Sequence, residues 1–120
     1  MRLHRAWHGP AMLLTAALAG CTGSVCKNVA TAGAPSPDGK FIAFVFNRSC
    51  SGAPAVSTHV SVIRFSESLR NETGNVLVVD GLQPLTLSWL SPTDLVVRHV
   101  KDPRLAHPKP VDSVTVEFRQ

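Results

Sequence analysis

Beyond residue 35 the chain reads as short stretches of apolar or alternating residues, each closed by turn formers. Phe41 to Phe46 is six consecutive apolar residues, with Gly39 and Lys40 before them and Asn47 and Arg48 after. Their length and their β-branched and aromatic content predict a strand buried on both faces rather than a helix. After a polar loop from Ser49 to Thr58, His59 to Phe65 carries Val60, Val62 and Ile63 and predicts a half-buried strand. Val76 to Val79 predicts a third, closed by the turn signal Asp80-Gly81. Leu85, Leu87 and Trp89 alternate with Thr86 and Ser88, Leu95 to Val100 follows the turn at Ser91-Pro92, and Val111 to Phe118 sets Val114, Val116 and Phe118 against Ser113, Thr115 and Glu117. Such period-2 alternation marks strands with one buried and one solvated face. Six strands with no helical periodicity longer than a turn or two predict an all-β domain over residues 36–120, a small antiparallel sheet curled into a sandwich or partial barrel. Trp89 is expected to pack with some of Phe41, Phe44, Phe46 and Phe65. Residues 22–40 are rich in Gly, Ala, Ser, Thr and Pro and predict a linker ending in a turn, with no strand.

The first twenty residues follow a different pattern. Arg2 and Arg5 precede Ala11 to Ala19, which is apolar except at Thr15. This is the charge-then-apolar layout of a secretory signal. The apolar run falls well short of the ~20 residues a membrane-spanning helix needs. Leu18, Ala19, Gly20 and Cys21 then resemble the lipobox of bacterial lipoprotein precursors. That resemblance implies a signal peptide over residues 1–20, a mature chain starting at Cys21, and acylation of Cys21 with diacylglycerol and a fatty acid such as palmitate. Two or more acyl chains give stable membrane attachment where one gives only marginal attachment. Thr22 follows the cysteine where an Asp would favour retention at the inner membrane, so the resemblance implies an envelope protein on the outer membrane, facing the periplasm.

The three cysteines gain a parity from this reading. With Cys21 consumed by lipid, Cys26 and Cys50 remain as one pair in an oxidising compartment, where disulfides persist. A metal or redox role for Cys26, Cys50 and His59 has no CxxC or other short ligand spacing behind it. Removing residues 1–20 leaves 100 residues, enough for one domain. It also removes Arg2 and Arg5, so ten Lys and Arg face eight Asp and Glu and the charge falls from +4 to +2. Without a dense basic stripe interleaved with aromatics, nucleic acid is excluded as a partner.

Ser36, Pro37, Asp38, Gly39 and Lys40, followed by Phe41 to Phe44, resemble the strand opening of TolB-type β-propeller repeats. Trp89 to Val97 looks like a degraded second copy, with a residue dropped and the Gly replaced. The physical sense of the motif is a tight turn, in which Pro presets one dihedral and Gly permits positive φ. Two copies 55 residues apart cannot close a ring of four or more blades. The resemblance therefore implies a single propeller-blade-like sheet, and from Ser36 to Val100 the order of segments is similar to small uncharacterised bacterial families of that type. It implies no activity.

No catalytic motif stands out. His59, His99 and His107 lack the spacing that puts two histidines on one ligating face, no GxSxG elbow occurs, and Asp80, Asp94 and Glu117 are not expected to meet. No cofactor or metal is implied. The candidate interaction loop is the Pro-stiffened stretch carrying Arg98, His99, Lys101, Arg104, His107 and Lys109, opposed only by Asp102. It is suited to anionic lipid headgroups or an acidic envelope partner, or simply to keeping an edge strand from pairing with neighbours. The function expected is a non-enzymatic binding or scaffolding module at the membrane surface. An inhibitor or accessory subunit of a periplasmic enzyme or envelope complex is the alternative.

Overall fold

The structure, a computed structural model, describes residues 25–52 and 55–120. The expected signal segment, residues 1–20, and Cys21 lie outside these described residues. Eight strands follow in order: β1 (Cys26–Pro35), β2 (Phe41–Cys50), β3 (Ser57–Arg64), β4 (Leu77–Asp80), β5 (Thr86–Ser91), β6 (Asp94–Arg98), β7 (Leu105–Ala106) and β8 (Thr115–Phe118). They form two sheets, β1-β2-β3-β4-β7 and β5-β6-β8. Among the described residues there is no helix.

The all-β expectation holds, and the expected linker does not. Cys26–Pro35 is a ten-residue strand, paired antiparallel with β2 from Cys26↔Cys50 to Pro35↔Ile42 with a bulge between Ala30 and Ala32. Its small residues carry little strand propensity of their own. The strand exists because the highly apolar β2 offers a full row of backbone partners, and because the Cys26–Cys50 disulfide fastens its far end. The near end is the Ser36-Pro-Asp-Gly-Lys motif. Ser36 N donates to Phe41 O at 2.8 Å, Gly39 N donates to Ser36 O at 2.9 Å, and Gly39 sits at φ 72°, where a Cβ is penalised. Ser36 Oγ donates to Asp38 Oδ1 at 2.7 Å and accepts from Phe41 N at 3.0 Å. The Ser91–Asp94 segment closes the β5–β6 hairpin with a similar contact, Ser91 Oγ to Asp94 Oδ2 at 2.6 Å.

The two sheets pack face to face. Phe41, Ala43, Val45, Val60, Val62, Leu77 and Val79 of the larger sheet meet Leu95, Val97 and Val116 of the smaller in one buried cluster. This is the sandwich form of the expected architecture. Trp89 is half-buried against that cluster, which includes Phe41, and its Nε1 donates to Ala34 O at 2.8 Å, tying β5 to β1. Phe44 and Phe46 instead occupy alternate positions on the other face of β2, and Phe65 is 56% exposed.

All ladders are antiparallel except one. β8 pairs parallel to β6, from Asp94↔Thr115 to Val97↔Phe118. A parallel pair needs a crossover, and the stretch between the two strands supplies it. That stretch leaves the small sheet and lays β7 along β4, with Arg104 N on Val78 O and His107 N on Val76 O. It then returns to the small sheet.

Candidate functional site

The second face of the large sheet positions the site. Strand alternation places Ser57, His59 and Ser61 on this outer face of β3, opposite Val60 and Val62 in the core. Register sets His59 opposite Phe46 on β2 and Val78 on β4. The Phe46 and His59 rings stack with centroids 5.2 Å apart, and both side chains are buried, His59 at 1% exposure.

The loop joining β3 to β4 covers this face. Asn28 Nδ2 donates to Glu72 O at 2.8 Å, Asn71 Nδ2 donates to Cys26 O at 2.8 Å, and Arg48 Nη1 donates to the side-chain oxygens of Asn28 and Asn71 at 2.8 and 3.0 Å. Asn75 then completes the ladder before β4 begins. Its Oδ1 accepts from Val62 N at 2.9 Å and its Nδ2 donates to Val62 O at 2.8 Å, as a backbone partner would. Between them Gly74 presses on the sheet so closely that a Cβ there would stand 2.6 Å from Val60 O.

His59 is wired at both nitrogens. Gly74 N–H donates to Nδ1 at 2.9 Å, so the ring proton resides on Nε2 and is donated to Ser57 Oγ at 2.7 Å. Burial, and secondarily the guanidinium charges of Arg48 and Arg104, push the His59 pKa down to about 4. The ring is thus neutral at pH 7 with a fixed tautomer. The direction of the Ser57 bond decides its chemistry. A general base must accept the serine proton, whereas this imidazole donates to the serine. The pair cannot activate Ser57 as a nucleophile.

Around Ser57 and His59 lies an open cavity of about 270 Å³, lined also by Arg48, Thr73, Asp80 and Arg104. It sits at the end of the sheet that carries the disulfide, with Cys50 on its wall. Because both sulfurs are bonded to each other, Cys26 and Cys50 are not metal ligands beside His59. Among the described residues no cluster of three or more His, Cys, Asp or Glu is placed to hold a metal ion.

The residues of the expected interaction loop are carried by different elements. Arg98 ends β6 and pairs opposite Thr86, close enough to Glu117 that its charge, with the larger effect of Arg119, holds that carboxyl below its ordinary range. Lys101 is pinned through its backbone by Gln83, whose side chain accepts from Lys101 N at 3.2 Å and donates to Lys101 O at 3.1 Å. Arg104 stands 3.6 Å from Asp80, an acid the sequence reading did not set against it. Both side chains are largely exposed, so this ion pair adds little stability. His107 and Lys109 are exposed beyond β7. The two-residue β7, flanked by Arg104 and His107, blunts the edge of the large sheet.

Of the basic residues expected to form the interaction loop, then, only Arg104 lines the His59 cavity, where it joins Asp80 and Cys50. Arg48, Thr73 and Gly74 were missed, each distant in sequence from His59. One signal was present: Ser57 and His59 are two apart in a strand, which puts them on one face. Comparison of the chain with protein-family models, with curated proteins and with solved structures finds no match.

Proposed function

We propose that this chain is a lipid-anchored bacterial envelope protein, attached through Cys21, whose β-sandwich is a non-enzymatic binding or scaffolding module at the membrane surface. The observation that carries the reading is the Cys26–Cys50 disulfide. It uses the two cysteines that acylation of Cys21 would leave, and a persistent disulfide fits an exported protein. It also shortens the tether. With Cys26 fixed to β2, a step of five residues, from Cys21 to Cys26, joins the proposed anchor to the folded domain, a reach of at most about 18 Å. The Ala- and Gly-rich stretch that resembles a stalk is β1, a strand of the domain. The module is therefore held against the bilayer, its disulfide end nearest. Thr22 supports outer-membrane delivery, facing the periplasm. The non-enzymatic part of the reading is supported by the His59 proton, which points toward Ser57, so that the imidazole does not serve as its base.

The test is fractionation of bacteria expressing the full chain. Wild-type protein is expected in the membrane fraction, resistant to high salt and released by detergent. Cys21→Ser is expected to lose the membrane association. A wild-type protein that is fully soluble, or a Cys21→Ser variant that fractionates like wild type, would overturn the anchor.

A further inference from the structure

We infer that the cavity between β2, β3 and the segment leading into β7 is a binding site for a phosphoryl oxyanion, held by Arg48 and Arg104 with the Ser57 hydroxyl. Three features of the site converge on this chemistry. First, the proton order Gly74 N–H to His59 Nδ1, then His59 Nε2–H to Ser57 Oγ, occupies the serine oxygen as an acceptor. The hydroxyl proton of Ser57 is left to donate, and no described residue accepts it. Because the neutral histidine has a fixed tautomer, Ser57 is locked as a donor facing the cavity wall it helps to form.

Second, Arg48 is held in place from behind. Its Nη1 is bound to Asn28 and Asn71, which leaves Nη2 and Nε without a partner among the described residues. A guanidinium so positioned loses little side-chain freedom on meeting an anion, and its planar fork matches phosphate oxygens. Third, Arg104 reaches the same cavity from a different element, and Asp80 neutralises it only across 3.6 Å in an exposed pair. Two guanidiniums against one carboxylate leave the lining net positive. The Thr73 hydroxyl adds another polar group. Donors arriving from β2, β3 and the β7 approach suit a tetrahedral group with several acceptor oxygens better than a planar carboxylate with two.

The cavity is walled by Cys50 and so lies at the disulfide end of the sheet. If the proposed anchoring holds, this end faces the bilayer, and the phosphoryl group of an anionic headgroup is one source of the ligand; free phosphate is the other. The site itself does not depend on the anchor, and only the lipid source rests on that reading.

The experiment uses the full chain in a non-ionic detergent, with the His59 ring and arginine guanidinium resonances followed by NMR. Inorganic phosphate is titrated at constant ionic strength against chloride. A saturable shift at His59 and Arg48 is expected, weakened at least tenfold in R48Q/R104Q and several-fold in S57A, with R48K/R104K retaining part of it. Retained β-sheet circular dichroism and an intact disulfide establish that each variant is folded. A second arm replaces phosphate with vesicles of phosphatidylcholine with or without phosphatidylglycerol. Shifts at the same resonances with the anionic vesicles assign a headgroup; shifts with phosphate alone assign a free anion and leave the anchor reading to its own test. No shift in either arm, or shifts of equal size in R48Q/R104Q, would overturn the site.

Discussion

Acidification offers a quantitative test of how His59 is held. In the folded protein its pKa is pushed down to about 4 from an ordinary 6.5, chiefly by burial and then by Arg48 and Arg104. Protonation would also turn Nδ1 into a donor aimed at the Gly74 N–H, replacing a hydrogen bond with a donor–donor contact. Between these two values the unfolded chain binds a proton that the folded protein refuses, so stability falls as pH falls. It is constant above about pH 6.5, drops through the window between 6.5 and 4, and flattens below. At ~1.4 kcal/mol per pKa unit, the loss is about 3 kcal/mol in full, most of it reached by pH 4.5. The depressed carboxyls of Asp38 and Glu117, held chiefly by hydrogen bonds from Ser36 and Arg119, contribute stability that is lost only as pH falls below their ordinary values of 3.8 and 4.5. The His59 window therefore stands apart. Urea unfolding with the disulfide intact, at half-unit steps from pH 7.5 to 4.5, measures it. His59→Phe keeps a ring against Phe46 but removes the titration. It is expected to cost about 2 kcal/mol at pH 7, by orphaning the Gly74 N–H, and to abolish the slope. Wild-type stability that is flat from pH 6.5 to 4.5, or a slope unchanged in His59→Phe, would refute the buried, neutral, doubly bonded histidine.

Gly74→Ala is expected to destabilise the domain by about 2 kcal/mol or more, because its Cβ would meet Val60 O at 2.6 Å and Leu77 O at 2.9 Å, both backbone atoms; thermal unfolding measures it, and a variant as stable as wild type contradicts the close approach. Replacing Cys26 and Cys50 together with Ser opens a link across 24 residues and is expected to cost about 3 kcal/mol, seen as a lowered urea midpoint. Asn75→Ala removes both bonds to Val62 and is expected to cost about 2 kcal/mol and to speed amide exchange at Val62; unchanged exchange there would show that the side chain does not stand in for a strand.

The strands that alternate or run apolar were legible because their side chains report burial directly: Phe41 to Phe46, Val60 and Val62, and the Val114, Val116, Phe118 row all fall where the pattern puts them. β1 was not legible, since Ala30 to Pro35 carries no residue whose burial demands a sheet. Its strand form comes from pairing with β2 and from the disulfide. The parallel entry of β8 was hidden for a similar reason, because the return of the chain over β4 depends on backbone bonds from Arg104 and His107 that no side-chain pattern announces. At the site, His59 was visible as a histidine in a strand. Its chemistry is set by Gly74, Arg48 and Arg104, brought to it from 15, 11 and 45 residues away along the chain. The basic stretch from Arg98 to Lys109 read as one loop because the two-residue β7 within it, Leu105–Ala106, is too short to leave a pattern.

The anchor on which the proposed function rests is tested most directly by intact mass and peptide mass spectrometry of the full chain expressed in a bacterium with lipoprotein processing. The expected product begins at Cys21, carries the mass of a diacylglyceryl group and further acyl chains on that residue, and yields a Cys26–Cys50 cross-linked peptide under non-reducing conditions. A chain that retains residues 1–20, or one whose Cys21 is unmodified, would contradict the account.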